Sequence, residues 1–305
     1  MITPSTSALE LSMRRSRETE ELKNSCPLCK SRHLTLIWEI EGWAHFTIQK
    51  CRGCGFVHAA PRPDTEELAR FYTSSYFRRQ QETAYGYADY RSMAESNAKR
   101  MWHDLQSYIP YDRSDAKVLL DVGCATGGFL SEAQSEAWNC TGVELSEYAV
   151  DVARKEFNLH VLQGDIFLPA LKINHFSLIT FWHVLEHLLD PVATLRKAHT
   201  LLAPGGILFI ELPNWNSLGR RIRGKAWNQL KPPEHINYFT LRTLHKLASE
   251  AGFRVIKCTS EYPSVMNEAA VQRWSRPFYQ AKAMVASLAC KVGCGGYARL
   301  LAAKV

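Results

Sequence analysis

Two cysteine pairs, Cys26-Pro-Leu-Cys29 and Cys51-Arg-Gly-Cys54, stand 21 residues apart in a chain of 305. Four thiolates at that spacing suit a tetrahedral Zn²⁺, with redox chemistry or free thiols as the alternatives. A second constellation is Asp121-Val-Gly123-Cys-Ala125-Thr-Gly127-Gly128-Phe129, a turn in which little side chain blocks an incoming ligand. Glu144 follows at the interval at which an acidic residue takes a ribose hydroxyl in nucleotide-binding βαβ units. Three histidines, His183, His187 and His235, could move a proton near neutral pH. His183-Val-Leu-Glu186-His187 also fits the H-x-x-E-H pattern of a zinc peptidase, which needs both histidines on one helix face. The segment directly follows an apolar run that reads as a buried strand, and no third ligand is singled out, so that reading ranks well behind.

The elements that must position these groups alternate regularly. Apolar runs at 117–121, 139–144, 160–163, 176–181, 206–211 and 254–259 read as strands. Helices between them open on caps such as Ser146 and Asp190-Pro191, the proline at the first helical position. Strands alternating with helices predict an α/β fold: a doubly wound, mostly parallel, Rossmann-like sheet. Ligands in such sheets bind beyond the carboxyl ends of the strands, where Gly123, Glu144, Asp165, 182–187 and 211–214 would line one rim. Residues 88–108 carry helical periodicity ahead of the sheet.

Composition bounds the rest. With 46% hydrophobic and 22% charged residues the chain is typical of globular proteins. No apolar run reaches the length of a membrane span and no apolar signal segment is seen, so a cytoplasmic location is expected. Nine cysteines in that setting argue against a disulfide scaffold, and Cys124, Cys140, Cys258, Cys290 and Cys294 read as small buried residues. The formal charge is +7, and from Leu218 onward 15 Lys or Arg face four acids. That asymmetry suits an anionic substrate, nucleic acid or a membrane surface, or else a set of solvated helix faces.

The expected organisation is a tail over 1–24, a zinc ribbon over 25–60, a helical and tyrosine-rich linker or lid over 61–112, the Rossmann-like domain over 113–262 and a helical extension over 263–305. Asp64-Thr-Glu-Glu67 is a capping-box signature. The tyrosines that follow, Tyr72, Tyr76, Tyr85, Tyr87 and Tyr90, either pack on a neighbour or cover a cationic ligand. After Thr259 no convincing strand is found. Lys282, Lys291 and Arg299 do not share a helical face, which favours a packed helical subdomain over an amphipathic membrane anchor.

The motifs together resemble class I S-adenosylmethionine-dependent methyltransferases. Asp121 to Gly127 is similar to their first motif, with Ala125 in place of the middle glycine. Gly164-Asp165-Ile166, the Leu185-Glu186-His187 core after the fourth strand and Pro204-Gly205-Gly206 before the fifth follow in family order. Pro233-Glu234-His235-Ile-Asn-Tyr238-Phe239-Thr240 resembles a segment of a bacterial subgroup that also carries an N-terminal four-cysteine knuckle. The resemblance covers about 26–259. It implies an S-adenosylmethionine site built from Asp121, Gly123, Ala125, Gly127, Phe129, Glu144, Leu145, Asp165, Ile166, Trp182 and His183. Glu144 would hold the ribose and Asp165 the adenine amino group.

Methyl transfer is an in-line displacement in which positioning supplies most of the acceleration, with a base where the acceptor must lose a proton. His235 is the first choice of base, because Pro232-Pro233 marks a loop, adjacent Glu234 would raise its pKa and the segment resembles that bacterial subgroup, with His187 and His183 behind it. The expected activity is methyl transfer to a small molecule or sugar, an anionic one included. An RNA methyltransferase and a non-catalytic zinc-ribbon binding protein are the alternatives.

Overall fold

The computed structural model describes residues 25–41, 45–63, 90–109, 117–262 and 276–305. The expected tail, the capped segment at Asp64 and the tyrosines from Tyr72 to Tyr87 lie outside the described residues.

The cysteine unit contributes β1 (Leu34–Ile40), β2 (Phe46–Cys51) and β3 (Val57–Ala60), an antiparallel meander. Helix α1 (Tyr90–Gln106) leads into the main domain. There the chain runs β4 (Val118–Val122), α2 (Gly128–Ser135), β5 (Asn139–Glu144), α3 (Glu147–Phe157), β6 (Val161–Gln163), β7 (Phe176–Trp182), α4 (Pro191–Leu201) and β8 (Leu202–Pro213). After it come α5 (Leu218–Arg223), β9 (Asn237–Tyr238), α6 (Leu241–Glu250), β10 (Phe253–Glu261), α7 (Arg276–Lys291) and β11 (Tyr297–Lys304).

Seven strands form the main sheet in the order β10-β11-β8-β7-β4-β5-β6. Strands β8, β7, β4, β5 and β6 pair in parallel, and their apolar residues are buried because helices cover both faces. The helix starts are fixed locally. Ser146 accepts the Ala149 amide to open α3, Asp190 accepts the Ala193 amide at 2.9 Å to open α4, and Thr240 makes a capping box with Thr243 to open α6.

One expectation is corrected here. The stretch after Thr259, read as wholly helical, ends in β11, which inserts antiparallel between β8 and β10. Its centre, Ala298 to Ala303, is buried from both sides, so alanine and leucine fill a strand because of where it sits rather than by propensity.

The cysteine unit is not a separate bead. β3 pairs with β9, Val57 facing Tyr238 and His58 facing Asn237, which makes a second sheet of order β1-β2-β3-β9. Cys26, Cys51, Cys54 and Phe56 share one apolar cluster with Phe239, Leu244 and Leu247 of the main domain. No helix among the described residues is long and apolar enough to cross a membrane.

Candidate functional site

The rim beyond the parallel strands begins at the glycine turn. Gly123 has φ +70° and an added Cβ would come within 2.7 Å of Val184; Gly127 has φ +85° and would meet Leu159 at 2.5 Å. Only glycine fits either position without displacing a neighbour. Ala125, in place of a glycine, also adopts a left-handed φ of 49°.

Glu144 ends β5, and both of its oxygens are fixed by backbone amides, Oε2 by Ala125 at 3.0 Å and Oε1 by Ser146 at 2.9 Å. Burial raises its pKa, and these amides oppose the rise. The carboxylate therefore braces the turn while keeping lone pairs for a ligand hydroxyl. Around it Leu145 (58% exposed), Tyr148 and Phe167 stand open on the rim, apolar surface that a flat adenine ring would cover. Asp165 is exposed beside them and its Oδ1 accepts the Phe167 amide at 2.9 Å. The carboxylate acceptors, the open turn and the apolar walls fit S-adenosylmethionine.

Other expected cofactor residues lie deeper. Asp121 is 3% exposed and bonded by Thr180 at 2.7 Å; burial and Glu144 raise its pKa to about 7 against that bond. Phe129 and Trp182 are buried ring to ring, centroids 5.3 Å apart, and Ile166 is also buried. These four support the turn and the rim from beneath.

The histidines divide. The segment after β7 is a turn, not a helix, so the peptidase geometry is absent. His183, at φ +55°, holds Nδ1 3.3 Å from Glu186 and Nε2 3.4 Å from Glu211. Burial alone would lower its pKa, but the two carboxylates prevail and raise it to about 9. With both ring nitrogens facing carboxylates and a proton on each, His183 is a poor base at neutral pH. Glu211 is in turn clamped by Arg299 at 2.5 Å, and Arg299 reaches Asp104 of α1. Burial would raise Glu211; His183, Arg299 and Arg100 instead pull it down to about 2. Sequence reasoning missed Asp104 and Arg299 as parts of this network, although a lone arginine in an apolar run is a visible signal.

A pH dependence follows from His183. Its pKa is about 9 in the fold against 6.5 unfolded, so its stabilisation is full below about 6.5 and is lost as pH rises through about 9. Melting temperatures from pH 6 to 10 should show a decline that His183→Asn flattens. Parallel curves for the two proteins would contradict the ion pairing.

His187 and His235 meet edge to face, centroids 4.7 Å apart. His187 Nδ1 lies 2.7 Å from the Glu234 carbonyl and His235 Nδ1 lies 2.9 Å from the Gln229 carbonyl. A carbonyl only accepts, so each neutral ring carries its proton on Nδ1 and its lone pair on Nε2. The expectation that Glu234 raises the His235 pKa fails. His235 is 4% exposed, and burial, His187 and Lys231 push it well below the usual value. Glu234 is engaged by Lys231 at 2.6 Å and lies 3.9 Å from His235 Nε2. His187 is only half-buried and is the reachable member of the pair. Glu186, His187 and His235 also offer three ligand atoms within 4.8 Å of one another, close enough to hold a cation.

The four cysteines converge as their spacing predicts, all sulfurs within 4.8 Å, with Cys26–Cys54 and Cys29–Cys51 each at 3.5 Å. Burial raises the Cys51 thiol, but the Cys54 and Gly53 amides and the Cys29 thiol bring it to about 7, while burial raises Cys29 and the Cys26 thiol raises Cys54. The cluster fits Zn²⁺, which would tie the chain around β1–β3. Elemental analysis is expected to find about one zinc per chain. Cys51→Ser should release it and also lower the melting temperature of the whole chain, because the knuckle shares the main core. Metal-free protein purified without chelator, with an unchanged melting curve for Cys51→Ser, would defeat the assignment.

Among solved structures, a methyltransferase dependent on S-adenosylmethionine from Thermotoga maritima superposes with a TM-score of 0.52 at 17% identity, over 75% of this chain and all of the other. Another from Mesorhizobium loti gives 0.50 at 18% identity, over 67% of this chain and 97% of the other. At those identities the likeness speaks for the fold. Curated relatives include ubiquinone biosynthesis O-methyltransferases of Pseudomonas aeruginosa, 34% identical over 33% of this chain and 46% of the relative, and of Nitrosospira multiformis, 33% identical over 42% and 55%. The chain thus spans about half the length of the curated relatives it matches. The model of the methyltransferase domain family matches residues 93–258, more than half of the chain and the whole rim from Gly123 to Asn237. The chain belongs to the methyltransferase domain family.

Proposed function

We propose that this protein transfers a methyl group from S-adenosylmethionine to a hydroxyl of a small molecule. The observation that carries the reading is Glu144: a carboxylate held by two backbone amides beside the glycine turn, inside the family match. S-adenosylmethionine, when bound, supplies the electrophilic methyl carbon. Glu144 would hold the ribose, Asp165 would meet the adenine amino group and Leu145 would lie against the cofactor. His187, its tautomer fixed through Nδ1 by the Glu234 carbonyl, takes the acceptor proton on Nε2.

The names of the curated relatives favour an oxygen acceptor, and the packing of the cysteine unit into the main core favours a built-in scaffold over an RNA-binding arm. The test is transfer of label from methyl-labelled S-adenosylmethionine to a panel of catechols, nucleotide sugars and transfer RNA. Labelling of a small hydroxyl compound is the expected result. Labelling of RNA, with binding that falls steeply with salt, would overturn it.

A further inference from the structure

Arg62 belongs to the cysteine unit, yet every hydrogen bond its guanidinium makes among the described residues goes to the main domain. It is 9% exposed, between Pro61 and Pro63, just beyond β3. Nη1 donates to Asn237 Oδ1 at 3.0 Å, and Nη2 donates to the carbonyls of Leu188 at 3.0 Å and Leu189 at 2.7 Å. Asn237 completes the knot, its Nδ2 donating to the carbonyls of Leu185 at 2.9 Å and Leu188 at 2.7 Å. The amides of Ile236 and Asn237 both donate to the Glu186 carbonyl, at 2.9 and 3.0 Å. Two loops remote in sequence, one carrying Glu186 and His187 and the other His235, are thereby held as one body. β3 fixes the second loop from its other side, through the β3–β9 pairing and the Ala59 amide bonded to the Ile236 carbonyl at 3.0 Å.

We propose that Arg62 is a positioning residue: it clamps the His187 turn to the His235 segment and so sets the edge-to-face geometry of the histidine pair. Its catalytic meaning rests on the methyltransferase reading above; its structural content does not. A buried guanidinium demands acceptors, and here these are carbonyls of the turn itself, in a planar fork that an ammonium does not match. Without the guanidinium the Leu188 carbonyl keeps its bond from Asn237, and the Leu189 carbonyl loses the one it takes from Arg62. The cofactor side of the rim, Gly123 and Glu144, takes none of these bonds. Loss of the clamp should therefore act locally. The acceptor side loosens while the cofactor side stays in register.

The test uses the full, zinc-loaded chain and its Arg62→Ala and Arg62→Lys variants. Hydrogen exchange is read at Ile236 and Asn237, whose amides report the knot, and at Leu120 in β4 as a control. The ring ¹⁵N resonances of His187 report whether its proton stays on Nδ1, and calorimetry reports S-adenosylmethionine binding. In Arg62→Ala, exchange at Ile236 and Asn237 should rise by roughly tenfold or more, the scale of one lost charged hydrogen bond. The Nδ1–H signature of His187 should weaken, with Leu120 protection and cofactor affinity kept. Arg62→Lys should fall between the two, because it keeps the charge and loses the fork. Unchanged exchange and ring resonances in folded Arg62→Ala would overturn the proposal. So would a loss of protection spread evenly through the sheet. Should Arg62→Ala fail to fold, an Arg62→Lys protein indistinguishable from the parent at all three readouts would overturn it equally. A parent chain that binds no S-adenosylmethionine would sink the methyltransferase reading and leave the exchange result standing on its own.

Discussion

His187→Asn is expected to lower turnover on the accepted substrate by roughly 10²–10⁴-fold, the usual contribution of a positioned general base, while S-adenosylmethionine binding is kept. Asparagine preserves much of the shape and can still hydrogen-bond the Glu234 carbonyl, so the loss isolates proton transfer. The choice of His187 over His235 rests on access. His235 is 4% exposed and held well below the normal histidine pKa, whereas His187 is half-buried and has its tautomer fixed by a bond of 2.7 Å. His235→Asn in the same assay should act through its neighbour, with a smaller fall in turnover. A stable His187→Asn protein with near-normal turnover would reject the role. A large loss in His235→Asn alone would move it to His235.

Glu144→Ala should weaken S-adenosylmethionine binding by about 1.5–3 kcal/mol, the range for a hydrogen bond to a charged group. It should also loosen the turn, because the Ala125 and Ser146 amides lose their acceptor together. Glu144→Gln grades the two effects. The amide oxygen can keep one backbone bond while its NH2 faces the other N–H, so the turn should loosen less than in Glu144→Ala. Calorimetry gives the affinity and amide exchange at Ala125 gives the turn. Normal affinity in Glu144→Ala would remove the residue from the site.

What could be read from the sequence was what is local. The glycine turn, Glu144 and Asp165 are set by short-range spacing at strand ends, and the two cysteine pairs by C-x-x-C geometry, so all appear where expected. β11 was not legible, because Tyr297-Ala-Arg-Leu-Leu-Ala-Ala-Lys has helix-forming composition and becomes a strand only by filling the gap between β8 and β10. Which of the paired histidines is the more accessible was not legible either. It depends on burial and on a carbonyl 47 positions away, neither of which a one-dimensional pattern shows. Arg62 looked like a linker residue between two prolines, and its partners lie 126, 127 and 175 positions on.

Titration of the intact chain with S-adenosylmethionine tests the central claim most directly, since it needs no knowledge of the acceptor. Saturable binding at one site per chain, competed by S-adenosylhomocysteine and weakened in Glu144→Ala, is the expected result. Absence of binding by folded protein, or binding that Glu144→Ala leaves untouched, would contradict it.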